Sequence, residues 1–285
     1  MSNFHGDDVI PSAPEKALFH VIPVPYEASV SYGHGTAAGP LAILEASAQL
    51  ELFDGRSVPA DKGIYTDAPV DCEGAREDVF DRIGQAVSRA LCCGAIPVVL
   101  GGEHSLTSAV VKAVAEHCGS IGVVQFDAHA DLRESYEGSV WSHASVMKRI
   151  HDMGIPIYQI GTRSYCLEER ELRERARIPY VDAERLHSEG LDAVQLPADF
   201  PERIFISFDI DALDGAIMPA TGTPVPGGLG WYDAMRLVER LTKECRCIGF
   251  DVVEFAPISG FHAFDFAAAQ LVYNIMGYVA RSRTV

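Results

Sequence analysis

The chain has 285 residues, of which 48% are hydrophobic, and a formal net charge of −17 at pH 7. These values exclude a disordered chain and fit one globular domain over residues 1–285. The acidic charge argues against a nucleic-acid or anionic-membrane partner and favours a cationic ligand. No apolar run approaches the roughly 20 residues of a membrane span, and the start lacks a signal-peptide pattern. Seven scattered cysteines indicate reduced thiols, so we expect a cytoplasmic protein.

In chain order, the sequence predicts apolar strands that alternate with amphipathic helices. A Gly/Pro-rich loop over 31–40 precedes a helix over 77–93, and a second such loop over 219–228 precedes a helix over 232–244. An apolar helix over 264–280 lies near the end. Five nearly continuous apolar runs are typical of strands buried on both faces of a sheet, and they cover 96–100, 121–126, 155–160, 203–208 and 247–252. This alternation predicts an α/β fold with a parallel sheet covered on both sides.

Polar side chains follow four of these strands, at the point where each strand ends. The segment "DAHAD" carries Asp127, His129 and Asp131, which project from one side of an extended chain. The other three strand ends carry His104, Asp209, Asp211, Asp251 and Glu254. Because ligands of an open parallel sheet bind at the carboxyl ends of its strands, we expect these side chains to converge.

Each motif taken alone has an ordinary explanation. A lone D-x-H also occurs in metallophosphatases, a strand-end D-x-D can be a cap or a solvated turn, and His104 could simply begin a helix after the Gly-Gly turn. The set resists that explanation, because four carboxylates in one crevice repel one another unless cations balance them. Two divalent ions would balance the charge, with two histidines completing the ligands. The donors are hard oxygens and two imidazoles without thiolates, which favours manganese or a similar ion over structural zinc. A metal pair of this kind promotes hydrolysis by lowering the pKa of a shared water.

The same motifs resemble those of the ureohydrolases, the family of arginase, agmatinase and their relatives. The matching segments are "GGEHS", "QFDAHADLR", "SFDIDALDGAIMPATGTPVPGGL" and "GFDVVEFAP", and the resemblance runs from about Val21 to the C-terminus. It implies a three-layer α/β/α sandwich around a parallel sheet of about eight strands. It also implies hydrolysis of a guanidino group to urea and an amine, with two Mn²⁺ ions per subunit.

The resemblance further implies a role for each site residue. One manganese ion would be bound by His104, Asp127, Asp131 and Asp209, and the other by Asp127, His129, Asp209 and Asp211, with Asp127 and Asp209 bridging. Glu254 would pair with the substrate guanidinium, His143 in "WSHAS" would move protons, and Asp131 would accept a hydrogen bond from the attacking hydroxide. Without the resemblance, His143 reads as a surface-loop histidine. Asp251 is either a strand-end acid or a residue that orients a ligand histidine.

Two positions bear on the substrate. Arg133 stands where arginases carry an asparagine that binds the amino-acid end of arginine, and Ser164 stands where they offer an aspartate. The stretch "PYEASVSYGHGTAAGPLAILEAS" resembles agmatinase, but Ala37 and Ala38 stand where many agmatinases have an arginine. We therefore predict hydrolysis of agmatine to putrescine, a step of polyamine biosynthesis. Aminopropyl-agmatine, guanidinobutyrate, arginine and formimidoylglutamate remain alternatives.

Two further classes of protein are weighed against this prediction. A non-catalytic metal-binding homologue would be expected to have lost His143 or Glu254, and both are present. A phosphoesterase would need more basic residues near the crevice. The expected partner is a small cationic guanidino substrate, and the family implies a homo-oligomer, a trimer or hexamer.

Overall fold

The structure is a computed structural model, and it describes residues 3–283. Eight strands lie within this part of the chain: β1 (Phe19–Val24), β2 (Ile64–Thr66), β3 (Ile96–Gly101), β4 (Gly122–Phe126), β5 (Ile157–Ile160), β6 (Tyr180–Val181), β7 (Arg203–Asp209) and β8 (Arg246–Val253). The helices are α1 (Gly39–Ser47), α2 (Arg76–Cys92), α3 (Thr107–Cys118), α4 (Val146–Asp152), α5 (Leu167–Ala176), α6 (Ala183–Glu189), α7 (Trp231–Glu244) and α8 (His262–Ser282).

The strands form one parallel sheet in the order β2-β1-β3-β8-β7-β4-β5-β6. Helices α1, α6, α7 and α8 pack on one face, and α2 to α5 pack on the other. Successive side chains of a strand point to opposite faces, so Val98 and Val99 of β3 enter different apolar cores. This arrangement confirms the predicted three-layer α/β/α sandwich around a parallel sheet.

All five strands predicted from apolar runs are present. The predicted loop over 31–40 is wrong at its C-terminal end, which is helical. A short 3₁₀ helix covers Thr36–Ala38, and Gly39 begins α1. Pro40 lies in the first turn of α1, where its missing N–H has no intrahelical partner to lose. The proline that suggested a loop is therefore compatible with a helix start. The second stretch, 219–228, contains neither helix nor strand.

The site is positioned by the four central strands of the sheet. Strands β3, β8, β7 and β4 are neighbours in that order, and the polar motifs follow their carboxyl ends. The backbone N–H of Glu254, just after β8, donates to the carbonyl of Gly102, just after β3, at 2.8 Å. Segments far apart in sequence are thus joined at one edge. Among residues 3–283, no helix combines the length and apolar character needed to cross a membrane.

Candidate metal centre

His104 lies at the centre of the site, fully buried at the start of a short 3₁₀ helix after β3. The turn before it requires glycine, because a Cβ at Gly102 would lie 2.0 Å from the carbonyl oxygen of Tyr26. The His104 Nδ1 atom lies 3.3, 3.1 and 3.4 Å from carboxylate oxygens of three residues, which are Asp127, Asp131 and Asp209.

His129 forms the second half of the cluster. Its Nδ1 atom lies 3.0 Å from Oδ2 of Asp211 and 3.6 Å from Oδ1 of Asp127. The ligand-type atoms fall into two groups that could each hold a cation, one with His104, Asp127 and Asp209 and one with Asp127, His129 and Asp211. Asp127 belongs to both groups. The structure thus brings together all six side chains that the sequence predicts as ligands.

The charge of the four aspartates needs cations to balance it. All four are buried, and within residues 3–283 only histidine side chains lie within ion-pair distance of them. Burial and the charge of Asp127 raise the pKa of Asp131 to about 7, and burial and the charge of Asp211 raise the pKa of Asp209 well above its usual value. Burial opposes charge on His129, but the neighbouring charge of Asp211 raises its pKa to about 12. The site therefore favours positive charge between the carboxylates.

The hydrogen bonds of His104 also indicate a cation site. The Ser207 hydroxyl donates to Oδ1 of Asp251 at 2.9 Å, so it accepts the hydrogen on His104 Nε2 at 2.8 Å. The Nδ1 atom, buried and without a hydrogen bond, is left facing the carboxylates. An imidazole held in this way is a typical metal ligand, and the carboxylate oxygens around it suit a hard divalent cation. The donor set therefore fits divalent metal.

Asp251 is linked to His104 through the Ser207 hydroxyl rather than by direct contact. Its second oxygen, Oδ2, accepts from the Thr107 hydroxyl at 2.8 Å. Burial raises the pKa of Asp251 to about 6. Of the two interpretations open for this residue, the structure supports the orienting one.

Two residues of the site adopt a left-handed backbone conformation. Asp131 has φ 53° and Glu254 has φ 61°. This conformation costs a non-glycine residue about 1–2 kcal/mol, and it persists only where the surrounding structure holds it. The carbonyl of Asp131 is held by the N–H groups of Met147 and Lys148, at 3.0 and 3.1 Å. Strain of this kind is typical of functional sites.

A small cavity of about 30 Å³ opens onto the cluster, and a wider one of about 520 Å³ shares part of its lining. Glu254 and His143 both line the small cavity. Oε1 of Glu254 accepts from the backbone N–H of His104 at 2.6 Å, and burial raises the pKa of Glu254 to about 8. The His143 ring lies between Ser29 Oγ, 3.3 Å from Nδ1, and Ser31 Oγ, 2.9 Å from Nε2. Burial lowers the pKa of His143, so its ring is neutral at neutral pH.

Sequence reasoning gave no role to several polar residues that support the site. Glu103 is fully buried beside His104 and binds the loop that carries Ser29. Gln125 and Gln159 are fully buried within β4 and β5. The signal for the glutamines was present, since each is a lone amide inside an otherwise apolar run. The signal for Glu103 was its place between the Gly-Gly turn and His104.

The fold and the buried carboxylate–histidine cluster together define a metal-dependent hydrolase of the α/β/α class. The chain belongs to the arginase family, whose model matches residues 17–277. It is 38% identical over 276 residues to N(1)-aminopropylagmatine ureohydrolase of Synechocystis sp., covering 92% of this chain and 89% of that protein. It is 34% identical over 272 residues to agmatinase of Pyrococcus horikoshii, covering 93% of both chains. The solved structure of agmatine ureohydrolase of Thermoplasma volcanium is similar, with a TM-score of 0.89, 30% identity and coverage of 100% of this chain and 96% of that one. The predicted resemblance is confirmed.

Proposed function

We propose that this protein is a manganese-dependent ureohydrolase that releases urea from a guanidino amine. The observation that carries this proposal is the cavity at the carboxyl edge of the sheet. There, a carboxylate–histidine cluster built for divalent cations faces Glu254 and His143. The names of the similar proteins, which are agmatinases and aminopropylagmatine ureohydrolases, support the same chemistry.

The proposed ligands are those that the sequence predicts. One ion would be held by His104, Asp127, Asp131 and Asp209, and the second by Asp127, His129, Asp209 and Asp211. When bound, such a pair would supply a water whose pKa is low enough to give hydroxide at neutral pH.

The remaining chemistry falls to the chain's own side chains. Burial raises the pKa of Glu254, but the positive charge of a bound guanidinium favours its carboxylate form. That carboxylate accepts hydrogen bonds from the guanidinium N–H groups and holds the substrate in the small cavity. With the metals bound, Asp131 would accept a hydrogen bond from the attacking water or hydroxide. His143, neutral at neutral pH, passes protons towards the leaving amine.

The wider cavity bears on the rest of the substrate. Arg133 and Ser164 both line it. Arg133 lies over the ring of Tyr136, with Cζ 5.1 Å from the ring centroid, and its Nε lies 3.9 Å from Oε2 of Glu169. Arg133 thus has partners within the protein, and binding the α-carboxylate of arginine would compete with them. We propose agmatine as substrate. Its N1-aminopropyl derivative is the second candidate, because the cavity of about 520 Å³ has room for a longer tail.

Urea release from the Mn²⁺-loaded protein tests this proposal. Agmatine, aminopropyl-agmatine, guanidinobutyrate and arginine are compared, with Glu254→Gln as the matched variant that loses only a charge. We expect kcat/KM for arginine at least tenfold below that for the better agmatine-type substrate, a gap of about 1.4 kcal/mol or more. Arginine within tenfold would refute the substrate assignment. No urea from any compound would favour the non-catalytic homologue.

A further inference from the structure

We propose that Arg173 anchors a buried chain of hydrogen bonds, through Gln159 and Gln125, that orients Asp127 as a metal ligand. This inference rests on the proposed function, because it gives Asp127 its proposed role. It adds three positioning residues that lie outside the ligand set. None of the three touches the reacting atoms, and each acts through the next.

The contacts are short and lie wholly inside the protein. Arg173 Nε donates to Oε1 of Gln159 at 2.7 Å. Gln159 Nε2 donates to Oε1 of Gln125 at 2.5 Å, and Gln125 Nε2 donates to Oδ2 of Asp127 at 2.6 Å. The two glutamines are register partners on β4 and β5, which places their amides side by side. Arg173 is 1% exposed and both glutamines are 0% exposed.

Arg173 favours one direction for the whole chain of hydrogen bonds. A guanidinium can only donate, so Gln159 must turn its carbonyl oxygen towards Arg173 and its amide nitrogen towards Gln125. Gln125 then accepts on its oxygen and presents its own N–H group to Asp127. A neutral amide has no such preference by itself, because its two ends are nearly the same size. Gln159 Nε2 also donates to the carbonyl of Ala130 at 2.7 Å, so the cation and this carbonyl together ensure a donor at the Asp127 end.

Arg173 is itself held rigidly. Its Nη1 donates to Oδ1 of Asp182 at 3.0 Å, and its Nη2 donates to the Thr162 hydroxyl at 2.5 Å. Its Cζ atom lies 4.7 Å from the ring centroid of Tyr165 and 4.3 Å from that of Tyr180. These contacts satisfy the buried charge and leave Nε aimed at the glutamine chain.

The chain of hydrogen bonds ends at Asp127, which is proposed to bind both cations. Oδ2 of Asp127 accepts a hydrogen bond from Gln125 Nε2, and Oδ1 accepts one from the backbone N–H of His129 at 2.6 Å. With a donor on each oxygen, the carboxylate cannot rotate freely, and it presents one oxygen to the His104 side of the cluster and one to the His129 side. Partners behind metal ligands typically change metal affinity or activity 10- to 100-fold when mutated.

The test measures Mn²⁺ affinity by isothermal titration calorimetry on metal-stripped protein, with the melting temperature of each variant. Gln125→Met removes the donor to Asp127 at similar volume, and we expect Kd for Mn²⁺ to rise about 10- to 100-fold. Gln159→Met acts one step further out, and we expect a smaller rise. Tyr158→Phe is the matched control. Tyr158 lies on β5 beside Gln159, and its buried hydroxyl accepts from the backbone N–H of Gln195 without taking part in the chain of hydrogen bonds. The Kd of this variant should equal that of wild type.

The outcomes separate the two proposals. Folded Gln125→Met with wild-type Mn²⁺ affinity would overturn the positioning role, as would an equal loss in Tyr158→Phe. If Gln125→Met does not fold, Gln159→Met decides, and wild-type affinity there overturns the chain. Urea release is measured separately at saturating Mn²⁺. Wild type that binds Mn²⁺ but releases no urea would refute the proposed function, whereas the comparison of affinities would still test Gln125.

Discussion

The orientation of His143 depends on a buried glutamate that touches no proposed ligand side chain. Glu103 accepts hydrogen bonds from the backbone N–H groups of Ala28 and Ser29 and from the hydroxyls of Ser29 and Ser105. Because the Ser29 hydroxyl gives its hydrogen to Glu103, it can only accept from His143. The Ser29 hydroxyl accepts from the backbone N–H of His143 at 3.1 Å and lies 3.3 Å from Nδ1 of the His143 ring. The ring therefore keeps its hydrogen on Nδ1, and Nε2 is the basic atom, which accepts from the Ser31 hydroxyl at 2.9 Å.

Glu103→Gln is expected to reverse this arrangement. The amide oxygen can still accept from the two backbone N–H groups, but the amide nitrogen cannot accept from Ser29 or Ser105. Both hydroxyls must turn, and Ser29 then donates to Nδ1 of His143. Only the Ser29 hydrogen bond is coupled to the His143 ring, and it changes from a bond to a charged group, about 1.5–3 kcal/mol, to a neutral one of about 0.5–1.5 kcal/mol. The wild-type tautomer is thus disfavoured by about 1.2 kcal/mol, which corresponds to about an eightfold loss of kcat.

The assay is urea release at saturating Mn²⁺, with metal content measured on the same preparations. We expect kcat to fall about eightfold in Glu103→Gln while KM and metal content stay near wild type. Ser105→Ala is the control, since it removes one donor to Glu103 and leaves Ser29 in place. If Glu103→Gln keeps kcat within threefold of wild type, or if Ser105→Ala loses as much, the reasoning is wrong.

Four other expectations follow from the site and the core. Dialysis against a chelator should abolish activity and added Mn²⁺ should restore it; activity that persists when elemental analysis finds no metal would contradict the metal centre. Asp127→Asn should lose more metal and more rate than Asp211→Asn, because only Asp127 belongs to both groups of ligand atoms; equal losses would contradict that difference. His143→Asn should lower kcat by about 10²–10⁴ at unchanged metal content, and loss of metal would instead make His143 a ligand. Burial lowers the pKa of His5 from 6.5 to about 4, so the unfolded chain binds more protons in that window and stability falls as the pH drops. The free energy of unfolding of wild type relative to His5→Met should then change by about 1.4 kcal/mol per pH unit between these values, and parallel pH profiles would refute the effect.

The strands found from the sequence were those that form continuous apolar runs. Continuous apolar runs are a strong local signal, and they located β3, β4, β5, β7 and β8. Strands β2 and β6 have three and two residues, too few to show any period. In β1 the run is broken by His20 and Pro23, which obscured a strand that pairs with two neighbours.

In the site, too, local sequence patterns predict some residues, and the roles of others depend on tertiary contacts. The ligand-type residues could be found because each follows a strand, and parallel pairing then brings strand ends together. The roles of Gln125 and Gln159 depend on the register of β4 against β5, which no local pattern contains. The contact between Ser29 and Glu103 depends on how a loop folds back over the sheet edge, and its sequence carries no periodicity that predicts this.

The position of β8 has a consequence for how the protein is made. It is the last strand within residues 3–283, yet it lies between β3 and β7 in the middle of the sheet. A ribosome-bound chain that has emerged only as far as β7 therefore exposes two inner strand edges with unpaired N–H and C=O groups. It also lacks Asp251 and Glu254, and its His104 has no sheet joining it to the aspartates after β4. Metal should accordingly add little stability to such a nascent chain. Assembly of the centre then waits for the insertion of one late strand, a non-local step that is expected to limit the rate of folding.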